Sequence, residues 1–146
     1  MTGAGQPLDQ DCIFCQIVAG KAPATRIYED PQTLAFLDLN PINPGHCLVI
    51  PKTHHVTLFT LDSATYEAVA VTTLKVAQAI QSALQPGGMN IFQANGVVAG
   101  QTVFHLHNHL LPRHDNDNLR VEVHGLQPAG VEQLEPIAQR IREQLG

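Results

Sequence analysis

A chain of 146 residues with 44% apolar side chains has room for one domain with a substantial core. Its formal charge of −5, with 8 Lys and Arg scattered along it, argues against a protein that grips a nucleic-acid polymer through its phosphates. No apolar run approaches the roughly 20 residues of a membrane span, so no membrane contact is expected.

Residues 1–10 lack both a basic region and an apolar region, and read as a flexible tail rather than a signal peptide. A single domain over residues 11–146 follows. Asp11 is placed to cap a short helix from Cys12 to Ala19, with Gly20 as its stop. Thr25–Glu29 and Thr33–Leu37 read as strands around an Asp30–Pro31 turn. The Pro- and Asn-rich link from Asn40 to Gly45 leads to a third strand, His46–Ile50, stopped by Pro51. Asp62 or Ser63 then caps the strongest helix, which ends near Gln85–Gly88. Its apolar stripe is Tyr66, Val69, Ala70, Thr73, Val76, Ala77, Ile80 and Leu84. Asn90–Gln93 and Val103–Pro112 are further strands joined by a Gly-containing loop. Asp115–Asn118 is a polar turn, and Val131–Leu145 a closing helix. Runs of strands with few long helices, rather than regular βαβ units, predict an α+β domain. Its sheet would be largely antiparallel with about five strands, with one long helix and one C-terminal helix.

Three histidines at two-residue spacing, His105, His107 and His109, carry the chemistry. On a strand they would share one face, about 6–7 Å apart in succession. Side chains that titrate near neutrality are costly on a sheet face unless an anion or a metal lies against them. Cys12 and Cys15 form a C-x-x-C pair one helical turn apart. An odd cysteine count without an export signal points to a reducing, cytoplasmic setting, where such a pair is more often a metal or redox element than a disulfide. Cys47, within an apolar run, reads as a small buried hydrophobe. His114 and His124 have no pattern around them and are expected to face solvent.

The stretch Gly100–Arg113 resembles the signature of the histidine-triad (HIT) superfamily. The resemblance extends through Cys12–Cys15, Ala35–Asp38, Pro44–His46 and Pro51–His54. It is greatest to the bacterial, zinc-containing branch related to purine nucleoside phosphoramidases. It implies a HIT-like fold, a homodimer and a purine nucleotide substrate cleaved at its α-phosphate. His107 would be the nucleophile, because a neutral imidazole attacks phosphorus and its adduct is then hydrolysed by water. His109 would contact phosphate oxygens. Gln101 and Thr102, with the backbone from Gly100 to Val103, would donate hydrogen bonds to the phosphate and leaving group. Asp38 would bind the ribose, and Phe14, Leu39 and His46 would line the base pocket. Cys12, Cys15, His54 and His105 would hold a structural zinc, and no organic cofactor is implied.

Two positions depart from the family pattern. Asn108 stands where an apolar residue is usual, and on a strand it would face away from the site. Ala94 stands two before Gly96, where Asn or Gln is frequent; either Asn95 takes over that role or one hydrogen bond is missing. The alternative activities are hydrolysis of dinucleoside polyphosphates, or nucleotide sensing without turnover. A metalloenzyme with zinc on the triad would need an acidic ligand nearby, and none is expected there.

Overall fold

The computed structural model describes residues 9–146. Most of the expected N-terminal tail therefore lies outside the described residues. Asp9 and Gln10, the two that are described, are tied to the first helix, by Cys12 N–H donating to Asp9 O at 3.1 Å and Gln16 Nε2 donating to Gln10 O.

Five strands form one antiparallel sheet: β1 Arg26–Glu29, β2 Thr33–Leu37, β3 Cys47–Pro51, β4 Gly88–Phe92 and β5 Asn108–Arg113. Their order is β1-β2-β3-β5-β4, which leaves β1 and β4 at the edges. The α helices are α1 Ile13–Val18, α2 Ser63–Leu84 and α3 Val131–Leu145.

The sheet is buried on both faces at its centre, and alternation along each strand assigns the faces. Leu34, Phe36, Leu48 and Ile50 pack with Phe14, Cys15 and Ile17 of α1. Ala35, Cys47, Val49 and Leu110 pack with Val69, Val76 and Ile80 of α2. Because His109 pairs with Leu48 and Asn108 with Val49, the register puts His109 on the α1 face and Asn108 on the α2 face. Asn108 thus points away from the histidines, as its place in the strand requires.

Helix α2 starts at Asp62, whose carboxylate accepts from Thr65 N at 3.0 Å, an N-cap of the kind that contributes about 1 kcal/mol. Its buried face is Val69, Thr72, Thr73, Val76 and Ile80. Tyr66, Ala70 and Leu84 of the predicted stripe are exposed, because the helix touches the sheet along a narrower line. Thr72 takes part instead, through a hydroxyl pair with Thr33 at 2.7 Å. Apolar periodicity does not reveal such a polar fastening.

At the other helix start, the cap is Cys12 rather than Asp11: its sulfur accepts from Cys15 N at 3.3 Å, and α1 shortens to Ile13–Val18. Asp117 closes the turn after β5. It pairs with Arg113 at 2.7 Å and accepts from the backbone of His114 and Leu119 and from Asn43 Nδ2. Helix α3 has the expected bounds, but none of its residues is buried. No helix among the described residues is long and apolar enough to cross a membrane.

Candidate functional site

The predicted strand over Val103–Pro112 is shorter than expected, and the histidine row bends as a result. β5 begins only at Asn108: its pairing with β3 stops at Val49↔Asn108 and its pairing with β4 at Phe92↔His109, leaving residues 103–107 without ladder partners. A backbone hydrogen bond outside the ladder holds this lead-in: Leu106 N–H donates to His55 O at 2.6 Å. Freed from the pleat, His105 turns to α1, while His107 and His109 stay together with ring centroids 4.8 Å apart. The three imidazoles therefore serve two centres.

At the first centre, Cys12, Cys15, His54 and His105 are all buried, with their ligand atoms within 4.8 Å of one another. His54 Nδ1 lies 3.2 Å from Cys15 Sγ and 3.3 Å from His105 Nδ1. His105 Nδ1 lies 3.4 Å from each sulfur. Tetrahedral coordination with zinc–ligand bonds of about 2.0–2.3 Å requires donor separations of about 3.3–3.8 Å, close to those seen. The outer nitrogen of His105, Nε2, donates to Pro51 O at 2.8 Å. That bond leaves the Nδ1 lone pair bare and aimed inward, the arrangement a metal-ligating histidine needs. Burial holds the His105 imidazolium down to about 4, so the ring is neutral. The donor set and its geometry fit zinc. His55 is also buried but turns elsewhere, with Nε2 3.0 Å from Thr53 Oγ1.

The second centre sets a bare lone pair beside an N–H donor. His107 Nδ1 lies 2.7 Å from His105 O, a contact only an N–H can make, so Nε2 carries the free lone pair. For its neighbour the assignment runs through a chain. Ile42 N–H donates to His46 Nδ1 at 3.2 Å, which puts the proton of His46 on Nε2. That proton faces His109 Nδ1 at 2.9 Å, so His109 in turn keeps its proton on Nε2. These tautomers are inferred from the hydrogen-bond network. Burial lowers the pKa of His107 and His46 and brings His109 to about 4, with the neighbouring imidazoles adding to the fall at His109. Two neutral rings thus stand side by side in opposite tautomers: one with a bare Nε2, the other with an Nε2–H donor.

Asp38 also reaches this centre. The β2–β3 hairpin, closed by Asp38 N–H donating to His46 O at 2.9 Å, brings its carboxylate to 3.6 Å from His46 Nε2. The expectation that no acid lies near the histidines is thereby corrected: Asp38, His46 and His109 form a second convergent trio. Local sequence could not show this, since the contact depends on the hairpin register. The trio is nevertheless a poor metal site. His46 accepts a backbone N–H at Nδ1, so a metal at Nε2 would have to displace its only proton.

The loop after β4 is shaped by two glycines with left-handed or extended positive φ, Gly96 at 97° and Gly100 at 94°. Gln101 fastens it. Its Oε1 accepts from Gly96 N at 2.8 Å, and its Nε2 donates to Val56 O at 2.7 Å and to Val103 O at 3.1 Å. Thr102 and Gly100 are exposed, and Val103 is half-buried. Asn95 is held from both sides, accepting from Leu58 N at 2.7 Å and donating to Gln93 at 2.8 Å. Phe14 is buried with its edge on His107, ring centroids 5.1 Å apart, and Leu39 is 67% exposed. His114 and His124 are exposed, and Cys47 is buried.

One aromatic contact escaped the sequence reading. Phe92 pairs with His109 across β4 and β5, and its ring lies flat on the imidazole at 4.4 Å and 7°. Its place in a predicted strand was the only available signal.

A five-stranded antiparallel α+β domain, with a histidine row entering a central strand and a Cys2His2 cluster beside it, defines a class that the comparisons identify. The HIT domain family model matches residues 19–116, and the chain belongs to the HIT family. SMU.412c of Streptococcus mutans, of known crystal structure, superposes with a TM-score of 0.92 at 37% identity, covering 100% of this chain and 94% of that one. A zinc-bound histidine-triad family protein from Mycobacterium smegmatis gives a TM-score of 0.70 at 39% identity, covering 92% and 97%. Adenylylsulfatase HINT3 of Arabidopsis thaliana is 38% identical over 112 residues, 77% of this chain and 57% of that protein.

Proposed function

We propose that this protein cleaves nucleoside 5′-phosphoramidates, or related purine nucleotides joined through the α-phosphate, by way of a nucleotidyl group carried on His107. The observation that carries this reading is the pair of opposite tautomers at His107 and His109. The bare Nε2 of His107 attacks the α-phosphorus as the bond to the amine breaks, the amine leaving with a proton taken from solvent. The Nε2–H of His109 hydrogen-bonds a phosphate oxygen. Water then attacks the same phosphorus and gives its proton to solvent, the P–N bond to His107 breaks, and the nucleoside monophosphate leaves.

The other residues take supporting parts. His46 keeps the proton of His109 on the side facing the phosphate. Asp38 accepts from the ribose hydroxyls, and Phe14, Leu39 and His46 border the base. The backbone of Gly100 and Val103, with Thr102, donates to the phosphate. Gln101, whose carboxamide is taken up within the loop, holds these donors in place, and Asn95 anchors the loop's start. Cys12, Cys15, His54 and His105 would hold zinc, which would stabilise the fold without an open position for substrate. The name of the Arabidopsis relative, an adenylylsulfatase, supports a substrate bonded through an adenylyl phosphate. The open edge of β4, with Ile91 and Phe92 exposed, supports a homodimer.

The test is release of AMP from adenosine 5′-phosphoramidate and adenosine 5′-phosphosulfate by the wild type and by His107→Ala. Turnover by the wild type alone is expected. Equal turnover by both proteins, or none by either, would sink the reading.

A further inference from the structure

Asn108, Gln93 and Asn95 belong to one hydrogen-bonded ladder that crosses the sheet edge between the loop after β4 and helix α2. Leu58 N–H donates to Asn95 Oδ1 at 2.7 Å, and Asn95 Nδ2 donates to Gln93 Oε1 at 2.8 Å. Gln93 Nε2 donates to Asn108 Oδ1 at 2.7 Å, and Asn108 Nδ2 to Thr73 Oγ1 at 3.1 Å. The Thr73 hydroxyl finishes the run on Val69 O at 2.7 Å. Every link points the same way, from a backbone N–H to a backbone carbonyl. Turning over Asn95 or Gln93 would set like groups against each other at two neighbours. Turning over Asn108 would do so at Gln93 and draw the Thr73 hydroxyl off Val69 O, so all three orientations are fixed. Such a chain polarises along its length.

The ladder joins four pieces: the 3-10 turn Leu58–Thr60, the start of the loop running from Gln93 to Thr102, strand β5 and helix α2. Asn108 is its centre, and Asn108 lies between His107 and His109. An apolar side chain here would pack on α2 but could hold nothing on the far side. The carboxamide does both.

We propose that Asn108 is a positioning residue: through Gln93 and Asn95 it fixes the Gln93–Thr102 loop in register with the backbone that carries His107 and His109. This rests on the reading of His107 as nucleophile and of that loop as the phosphate donor. Reacting groups displaced by as little as about 1 Å can lose about a hundredfold in rate, so a loosened loop would act on turnover more than on affinity.

The test compares the wild type with Asn108→Leu, Gln93→Ala and the double variant. Measured on each are kcat and KM for adenosine 5′-phosphoramidate, AMP affinity, melting temperature and amide hydrogen exchange at Gly96 and Gln101. Asn108→Leu is expected to lower kcat by about ten- to a hundredfold, with KM and AMP affinity within about threefold. Exchange at the loop amides should quicken by at least about tenfold, and the double variant should lose no more than the worse single one. Gln93→Ala, in a half-exposed position, keeps the test open if Asn108→Leu fails to fold. Unchanged loop exchange, or kcat within twofold of the wild type in the variants that fold, overturns the proposal. Losses that add in the double variant overturn it too. If the wild type itself does not turn over the substrate, the reading of His107 fails separately, and the exchange data alone decide whether the ladder holds the loop.

Discussion

In the cluster around His105, the outer ring nitrogen gives its proton to Pro51 O and the inner one is left bare among two sulfurs and His54. In the pair His46–His109 the order is reversed. The backbone N–H of Ile42 meets the outer nitrogen of His46, and a proton is passed inward toward His109. The two centres hold the same kind of side chain within a few residues of each other. What differs from ring to ring is whether a backbone carbonyl or a backbone N–H faces the far nitrogen. A carbonyl leaves the inner nitrogen bare, as at His105 and His107, and an N–H puts a proton on it, as at His46. The residue behind a histidine thus decides its chemistry as much as the residue in front.

Substitutions can pull the two centres apart. The largest effect is expected for His107→Ala, which should lower hydrolysis of adenosine 5′-phosphoramidate by more than about a thousandfold while zinc content and AMP binding persist. Loss of both zinc and nucleotide binding together would mean that the centres are one unit. Next comes Cys15→Ala, which should abolish bound zinc, read by elemental analysis, and lower the melting temperature by about 10 °C. A chelator should bring the wild type to the same melting point, and an unmoved melting point would deny the cluster a structural metal. His46→Gln should follow, reducing kcat by roughly ten- to a hundredfold with zinc content unchanged, since His109 would lose the partner that orders its proton. Unaltered kcat there would remove His46 from the proton chain.

The smallest effect lies away from both centres. The Arg113 guanidinium, with backbone N–H groups of His114 and Leu119, holds the Asp117 carboxyl well below the usual carboxylate range. A folded-state pKa below the unfolded value stabilises the protein above about pH 4 and ceases to do so as pH falls through the folded value. Asp117→Asn should therefore lower the melting temperature at pH 7, and the gap to wild type should close on acidification below about pH 4. A gap independent of pH would assign the loss to packing instead.

Much of this was legible in the chain. The strands Thr33–Leu37 and Cys47–Pro51 and helices α2 and α3 lie within a residue or so of their predicted bounds. The strands are short apolar runs between turns, and α2 has a clear cap in Asp62, although Pro51 pairs with Thr33 inside β3 rather than stopping it. The Cys12–Cys15 pair and the histidine spacing pointed to residues that the fold brings together, and the family resemblance supplied His54 as their partner. What could not be read depends on register between distant segments. Asp38 meets His46 only through the β2–β3 hairpin, and Phe92 meets His109 only once β4 pairs with β5 across a loop of no fixed length pattern. Thr72 and Asn108 are polar residues whose partners lie 39 and 35 positions away, where apolar periodicity gives no guidance. The histidine row itself misled in one respect: two-residue spacing implies a continuous strand, and the ladder stops at Asn108.

The flat contact between Phe92 and His109 has a practical consequence for watching this centre work. The chain contains no tryptophan, so its intrinsic emission is confined to two tyrosines. An indole introduced as Phe92→Trp would be the sole strong fluorophore, set against the donor imidazole. Its intensity would report in real time the arrival of a charged phosphate at that ring, above the weak emission of the two tyrosines.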